Sequence, residues 1–118
     1  MSQNRIELTA TVPVGQSVSS TVALDRNWLI GMAIPSNWMA AVITFQGSRD
    51  NGATWSDLYS DTGEITISAA AAGRGIVLAP TLVHGWPLIR LRSGTAAAVV
   101  PQTGGVDRSL ICTIRQFQ

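Results

Sequence analysis

The tripeptide Asp50–Gly52, which reads Asp-Asn-Gly, constrains the fold of this chain more than any other stretch of its sequence. It lies between two runs of strand-forming residues, Ala41–Gln46 and Trp55–Tyr59. A tight hairpin turn needs positive φ at its centre, and Gly, Asn and Asp reach that region at the lowest cost. The stretch Ile34–Tyr59 is therefore predicted to form a β-hairpin on which the rest of the chain packs.

Short segments of alternating apolar and polar residues occupy most of the remaining chain, and turn residues separate them. Alternation with period two is typical of half-buried strands, and no segment shows the period of an amphipathic helix. Further strands are predicted at Arg5–Val12, Ser17–Leu24, Trp28–Ile34, Glu64–Ser68, Ile76–Leu78, Leu88–Arg92, Ala96–Val100 and Ser109–Phe117. This pattern predicts an all-β fold, an antiparallel two-sheet sandwich that is jelly-roll-like and has about eight strands. We expect one domain over residues 1–118, with residues 1–5 as a candidate extended arm.

Charged residues make up 13% of the 118 residues, about half the usual share for a soluble domain. All eight basic residues are Arg, which is favoured over Lys in protein interfaces, although a GC-rich genome explains the same bias equally well. The net charge of +1 and the scattered Arg residues give no electrostatic case for binding nucleic acid. No signal peptide is recognised, and the apolar stretch Trp28–Ile34 is too short to span a membrane. The sequence thus predicts a protein made in the cytoplasm that binds neither nucleic acid nor membrane.

Residues with catalytic or metal-binding chemistry are few. Cys112 and His84 are the single residues of their types; Cys112 lies on the apolar face of a predicted strand and His84 in a predicted loop. The neighbouring carboxylates Asp57 and Asp61 could bind a metal or act on a glycosidic bond, but hairpin turns routinely use Asp to bind their own backbone. No phosphate loop, nucleophile elbow or zinc-protease motif is present. We expect neither enzymatic activity nor a cofactor or metal.

One motif in the hairpin is specific. The segment Ser48–Trp55 reads SRDNGATW and matches S-x-D-x-G-x-T-W, so it resembles the Asp-box of sialidases and related carbohydrate-active proteins. The resemblance implies a structural role for four residues: Ser48, Asp50, Gly52 and Trp55. In that motif the Asp side chain braces the turn, the Gly takes the unusual dihedral and the Trp packs beneath. The chain has one copy and is too short for a propeller, so the hairpin geometry is carried over and the activity is not.

A broader pattern extends over about Trp28–Ser93. Its segments WLIGMAIP, SNWMAAVITFQGSRDNGATWSDLY and LIRLRSGT resemble those of small virion proteins of tailed bacteriophages. These are β-sandwich proteins that decorate or cement a capsid or serve as head or tail accessories. The resemblance implies binding to the major capsid protein, often as a homodimer or homotrimer, without chemistry. The terminal segments and the Ala-rich loop 69–74 are candidate contacts, with ordinary solvated loops and termini as the alternative; the residues are Arg5, Ile6, Arg74, Arg115 and Phe117.

A different class of function stays open beside this one. The four Trp residues, Trp28, Trp38, Trp55 and Trp86, have the rings that stack on sugars. The alternative is therefore a glycan- or receptor-binding module of a phage tail or host-recognition assembly. Because large aromatic side chains more often lie in cores, the discriminating feature is a Trp exposed beside polar partners.

Overall fold

The computed structural model describes residues 5–116, and in this part of the chain all regular structure is β. Its strands are β1 (Arg5–Val12), β2 (Val22–Ala23), β3 (Trp28–Ala33), β4 (Ile43–Ser48), β5 (Ser56–Asp57), β6 (Tyr59–Ser60), β7 (Gly63–Glu64), β8 (Thr66–Ile67), β9 (Gly75–Val77), β10 (Leu88–Ser93) and β11 (Arg108–Arg115).

The strands form two antiparallel sheets and a small hairpin. Sheet 1 has the order β1-β11-β3-β9, and sheet 2 has the order β2-β10-β4-β5, with β8 also paired to β4. If β5 and β8 are taken as one interrupted strand, each sheet contains four strands. The orders then follow the chain as 1-8-3-6 and 2-7-4-5, which is the strand order of a jelly roll. The predicted all-β, two-sheet sandwich is confirmed.

The central hairpin connects the innermost pair of strands in this topology. The chain folds as one long ribbon of antiparallel pairs: β4 with β5 and β8, β3 with β9, β2 with β10 and β1 with β11. Each outer pair encloses the next in sequence, and the innermost pair is joined by the turn at residues 49–55. The turn has the left-handed backbone that its sequence predicts, with φ of 62° at Asn51 and 91° at Gly52.

The strand that follows this hairpin is interrupted by a smaller one. Ser56 and Asp57 pair with β4, and pairing resumes at Thr66 and Ile67. Between them β6 and β7 form a two-stranded excursion, closed by a hydrogen bond from Ile65 N to Leu58 O. The excursion places the carboxylate of Glu64 over the outer face of sheet 2, next to Arg92.

The core lies between the two sheets and is built from alternate residues of the long strands. Inward side chains include Ala10 and Val12 of β1, Leu110, Cys112 and Ile114 of β11, Ile89 and Leu91 of β10, and Ile43 and Phe45 of β4. Phe45 is the largest fully buried side chain among the described residues. As predicted, the period-two alternation of the sequence places one set of side chains in the core and the other set on the outer surface.

Three predicted strands differ from the structure. Ser17–Leu24 forms regular strand only at Val22–Ala23, with an isolated bridge from Val18 to Arg92, because Ser19 Oγ accepts a hydrogen bond from Leu91 N where a backbone carbonyl would do so in a regular ladder. Glu64–Ser68 is divided between β7 and β8 by the excursion. Ala96–Val100 is not a strand and makes one bridge, between Gly94 and Val99, because this segment folds back on itself.

The ribbon sorts the connections between strands onto two opposite ends of the sandwich. Segments 13–16, 34–42, 68–74 and 94–107 lie at one end, which we call the loop end. Segments 24–27, 49–55 and 78–87 lie at the other end, with the first residue of β1 and the last of β11; we call this the terminal end. Alternate connections share an end because successive strands run in opposite directions.

Candidate functional site

The candidate contact residues from the sequence fall on opposite ends of the molecule. Arg5 pairs with Arg115 and Ile6 with Ile114 at the terminal end. Arg74 lies at the loop end, where its carbonyl accepts a hydrogen bond from Ile34 N. The length of β3 separates the two ends by about 17 Å at ~3.3 Å per residue. Phe117 lies outside the described residues, as do residues 1–4 of the candidate arm.

The Asp-box segment forms a hydrogen-bonded turn. Asp50 accepts hydrogen bonds from Ser48 Oγ at 2.9 Å, Thr54 N at 2.9 Å and Thr54 Oγ1 at 2.5 Å, and Ser48 Oγ accepts from Gly52 N at 2.8 Å. The bonds from Thr54, followed by the one from Ser48, lower the pKa of Asp50 to about 2. The carboxylate therefore holds the turn.

Trp55 lies next to this turn, on the outer face of sheet 2, and it is half-buried. The guanidinium of Arg90 stacks 3.9 Å from the ring centroid of Trp55 and donates from Nη2 to Gln46 Oε1 at 3.0 Å. Desolvation lowers the pKa of Arg90, and its buried Nε has no hydrogen-bond partner among the described residues. The cation thus covers one face of the ring, where a sugar would otherwise stack.

Arg92 is the centre of a second polar group on the same face. It is only 3% exposed, and it donates to Asp57 and Glu64 at 2.6 Å each and to Thr44 Oγ1 at 2.9 Å. The hydrogen bond from Arg92 lowers the pKa of Asp57. Glu64, carried over the sheet by the β6–β7 excursion, also accepts from Ala96 N at 3.0 Å. The expectation that turn geometry accounts for Asp57 is therefore wrong, because this carboxylate neutralises a buried cation.

The loop end has a different character, since a single buried amide ties three of its segments together. Gln102 is fully buried, accepts from Met39 N at 2.8 Å, and donates to Met39 O at 3.1 Å and Ser93 Oγ at 2.9 Å. Its backbone exchanges hydrogen bonds with the first segment, from Gly15 N to its carbonyl and from its own N to Gln16 O. Segments 13–16, 34–42 and 94–107 are thereby fixed relative to one another.

Arg108, the first residue of β11, also stabilises the loop end. Its guanidinium donates to three backbone carbonyls, those of Asn37, Val106 and Thr103, at 2.6–2.7 Å. Only 4% of the residue is exposed, so its charge is shielded from solvent and directed at the carbonyls of the loops. Charge-assisted hydrogen bonds of this kind are among the strongest a protein makes, and they hold the loops in one conformation.

Apolar side chains are exposed on this braced end. Of the large hydrophobic residues that are exposed in residues 5–116, four lie at the loop end: Val14, Met39, Val99 and Val106. Its four segments contain one Arg and one carboxylate, Arg74 and Asp107, out of eight Arg and seven acidic residues in the chain. The Asp107 side chain accepts from Val14 N at 2.8 Å, and Arg74 donates to Ala69 O at 2.9 Å. A preordered surface with few charges and exposed apolar side chains is suited to contact another protein.

The two remaining chemistry-bearing residues, Cys112 and His84, lie in different surroundings. Cys112 is buried in the core, where desolvation raises the pKa of its thiol to about 12. His84 is exposed, and its ring lies 5.5 Å from that of Trp28. Within residues 5–116, no cluster of three or more His, Cys, Asp or Glu could hold a metal ion, and no helix could span a membrane.

No protein-family model, curated protein or solved structure matches this chain.

Of the four segments of the loop end, the sequence identified one as a candidate contact, the Ala-rich segment with Arg74. The other three segments were missed. Their common signal was present in the sequence, since segments 13–16, 34–42 and 94–107 carry a single charged residue between them. That these segments meet at one end depends on the jelly-roll order, which no local pattern gives.

Proposed function

We propose that this protein is a non-enzymatic structural protein of a phage virion, which binds the major capsid protein through its loop end and stabilises the capsid. It acts on the outer surface of the shell after synthesis in the host cytoplasm. The observation that carries this proposal is the braced, nearly uncharged loop end with its exposed apolar side chains. The resemblance of Trp28–Ser93 to small virion proteins supports the same proposal, as does the jelly-roll topology, which viral structural proteins often use.

The proposed mechanism of stabilisation depends on the rigidity of the loop end. Because Gln102 and Arg108 already order the loops, docking on the coat lattice loses little conformational entropy. A loop end that contacts two neighbouring coat subunits adds bonds that must break before the shell expands or ruptures. The lattice repeats this site many times, so a modest affinity at each one stabilises the whole shell.

The proposal is tested by co-sedimentation with coat-protein shells that lack the protein. We expect saturable binding at a fixed ratio to coat subunits and survival of the decorated shells at higher temperature. Val99→Glu and Val106→Glu each place a charge in the proposed interface, and each should weaken binding by about tenfold or more. Val77→Glu is the matched control because Val77 is 93% exposed in β9, away from the loop end, and it should bind like the parent chain.

Two outcomes would contradict this proposal. If the parent chain does not bind shells at all, capsid binding is wrong. If Val77→Glu weakens binding as much as the loop-end variants do, the docking surface lies on the sheet and not on the loops.

The alternative, a glycan- or receptor-binding module of a tail, is favoured by one observation. Trp55 is partly exposed, and Arg90 over one face of its ring is hydrogen-bonded to Gln46, which in turn donates to Asp57; a sugar would stack on the other face of the ring, near these polar groups. Binding at this face would be detected on a glycan array and abolished by Trp55→Ala, while Val106→Glu would leave it intact. The two functions are thus separated by the same panel of variants.

A further inference from the structure

Strand β1 forms an exposed sheet edge of unusual length for this molecule. It extends over eight residues at the border of sheet 1, and its pairing with β11 is continuous from Arg5 to Val12. The strand contains no Pro, Lys or bulge, which are devices by which proteins prevent pairing at a sheet edge, and its two charged residues, Arg5 and Glu7, are of opposite sign. Such an edge is a template for another strand.

The other edges of the two sheets are short or broken within residues 5–116. Sheet 1 ends on its other side at β9, which has three residues. In sheet 2, β2 has two residues, and the opposite border is divided between β5 and β8 by the excursion. The edge of β1 is therefore the long, regular one.

The direction of the free backbone groups on β1 follows from Thr11. Thr11 N donates to Ser20 Oγ at 3.0 Å and Thr11 O accepts from Ser20 N at 2.8 Å, so this residue faces away from β11. Backbone groups alternate along an antiparallel strand, so Arg5, Glu7 and Thr9 face the same way. No strand lies on that side of residues 5–10 in the described part of the chain.

We propose that a second copy of this chain pairs with β1 in antiparallel orientation, about a two-fold axis at Ile6. Arg5 and Glu7 lie two residues apart on the outer face of sheet 1. An axis at Ile6 places Arg5 of each copy directly opposite Glu7 of the other and forms two cross-strand ion pairs. Within the described residues the paired segment is Arg5–Glu7 of each copy, and two backbone hydrogen bonds join Arg5 of one copy to Glu7 of the other in each of the two pairs.

Neighbouring registers are less favourable. An axis at Glu7 places the two carboxylates opposite each other, which is destabilising. An axis at Leu8 places Arg5 opposite Thr11, whose edge-facing groups are already bonded to Ser20. The charge pattern and the occupied groups together select Ile6.

This pairing would offset one unfavourable charge contact and cover one partly exposed apolar side chain of the isolated chain. Arg5 lies directly opposite Arg115 on β11, and neither forms an ion pair within residues 5–116. Like charges directly opposite are destabilising, and Glu7 of the second copy brings a negative charge beside Arg5. Ile6 is half-buried at the rim of the core, and the Ile6 of the second copy would cover it.

The pairing uses the terminal end and directs the two loop ends away from each other. Self-association and capsid binding therefore involve different surfaces. The inference does not depend on the proposed function, and either can fail without the other.

Charge reversal tests the pairing. We expect the parent chain to show a concentration-dependent monomer–dimer equilibrium in analytical ultracentrifugation. Arg5→Glu places Glu opposite Glu7, and Glu7→Arg places Arg opposite Arg5, so each variant alone should dimerise about tenfold more weakly or not at all. An equimolar mixture of the two variants restores both ion pairs and should form a heterodimer with the parent affinity. A monomeric parent chain, or two variants that each dimerise like the parent, would overturn the proposal.

The register is tested by cross-linking. A residue on the axis faces its own copy in a non-hydrogen-bonded pair with Cα atoms about 4.5 Å apart, within disulfide range. Ile6→Cys should therefore give a covalent dimer on mild oxidation, while Leu8→Cys should not, since its two copies would lie about 13 Å apart. Native Cys112 is buried and does not contribute. Efficient cross-linking at Leu8 with none at Ile6 would show that the register is wrong.

Discussion

Replacing Gln102 with Leu removes the side chain that joins the segments of the loop end. The substitution keeps a similar volume, so it leaves no large cavity and isolates the loss of hydrogen bonds. The side chain makes three of them: it accepts from Met39 N, and it donates to Met39 O and to Ser93 Oγ.

The expected loss of stability is worked from these three bonds. Each contributes about 0.5–1.5 kcal/mol net, and a donor left buried without a partner costs about 1–3 kcal/mol. Ser93 is fully buried, whereas the backbone of Met39 lies in a partly exposed residue and regains some water. A Leu side chain also recovers some hydrophobic free energy. The free energy of unfolding should therefore fall by about 2–4 kcal/mol.

Urea unfolding of Gln102→Leu measures this fall, with an unchanged m-value to show that the surface exposed on unfolding is the same. Gln16→Leu is the control, because Gln16 is exposed in a neighbouring segment and its side chain should matter by less than about 0.5 kcal/mol. Binding to coat shells should weaken for Gln102→Leu beyond what the folded fraction explains. A fall below about 1 kcal/mol would refute the reasoning that Gln102 braces the loop end.

Three further predictions concern single residues. Gly94 has φ of 92°, and a Cβ there would lie 2.5 Å from Ala98 O, so Gly94→Ala should cost about 2–4 kcal/mol in urea unfolding. Gly15→Ala, at φ of 78° with open space around it, should cost only about 1 kcal/mol, and equal costs would show that the clash is irrelevant. The pKa of Asp50 is lowered from 3.8 to about 2, so its contribution to stability is complete above pH 3.8 and is lost as the pH falls toward 2; carboxyl NMR should give a midpoint near 2 and no measurable titration near 3.8. The Cys112 thiol, with its pKa raised to about 12, should react with thiol reagents at pH 8 only as fast as the protein unfolds, and rapid labelling of the native protein would contradict its burial.

The class of fold could be predicted because its determinants are local. Asp50–Gly52 specifies a tight turn by its own dihedral preferences, and the alternation in Arg5–Val12 specifies one buried face without reference to the rest of the chain. The number of strands and the lack of a helical period then leave few all-β architectures. The jelly-roll order fits this prediction because the turn at 49–55 closes the ribbon at its centre.

The irregular strands could not be predicted because distant residues decide them. Ser17–Leu24 has good strand residues throughout, yet Ser19 interrupts the ladder by using its hydroxyl against Leu91, which is 72 positions away. Likewise, no local pattern near Glu64 predicts that its carboxylate binds Arg92, which lies 28 positions further along the chain. Residues 59–64 leave the sheet as a small hairpin, and in that position Glu64 and Asp57 together neutralise the buried cation of Arg92, which would be far more costly to bury without them.

The candidate site had a sequence signal whose meaning depends on topology. A low number of charges in separate loops says little by itself, since such loops are common. In a jelly roll, however, alternate connections share one end of the sandwich, and the four connections at the loop end of this chain carry only Arg74 and Asp107 between them. At the opposite end, segments 24–27 and 49–55 carry four charges, Asp25, Arg26, Arg49 and Asp50, and Arg5 and Arg115 lie beside them. This distribution leaves the loop end with few charges, as the proposed docking on a coat lattice requires, and it places Arg5 and Glu7 at the opposite end, where the proposed pairing of two copies uses them.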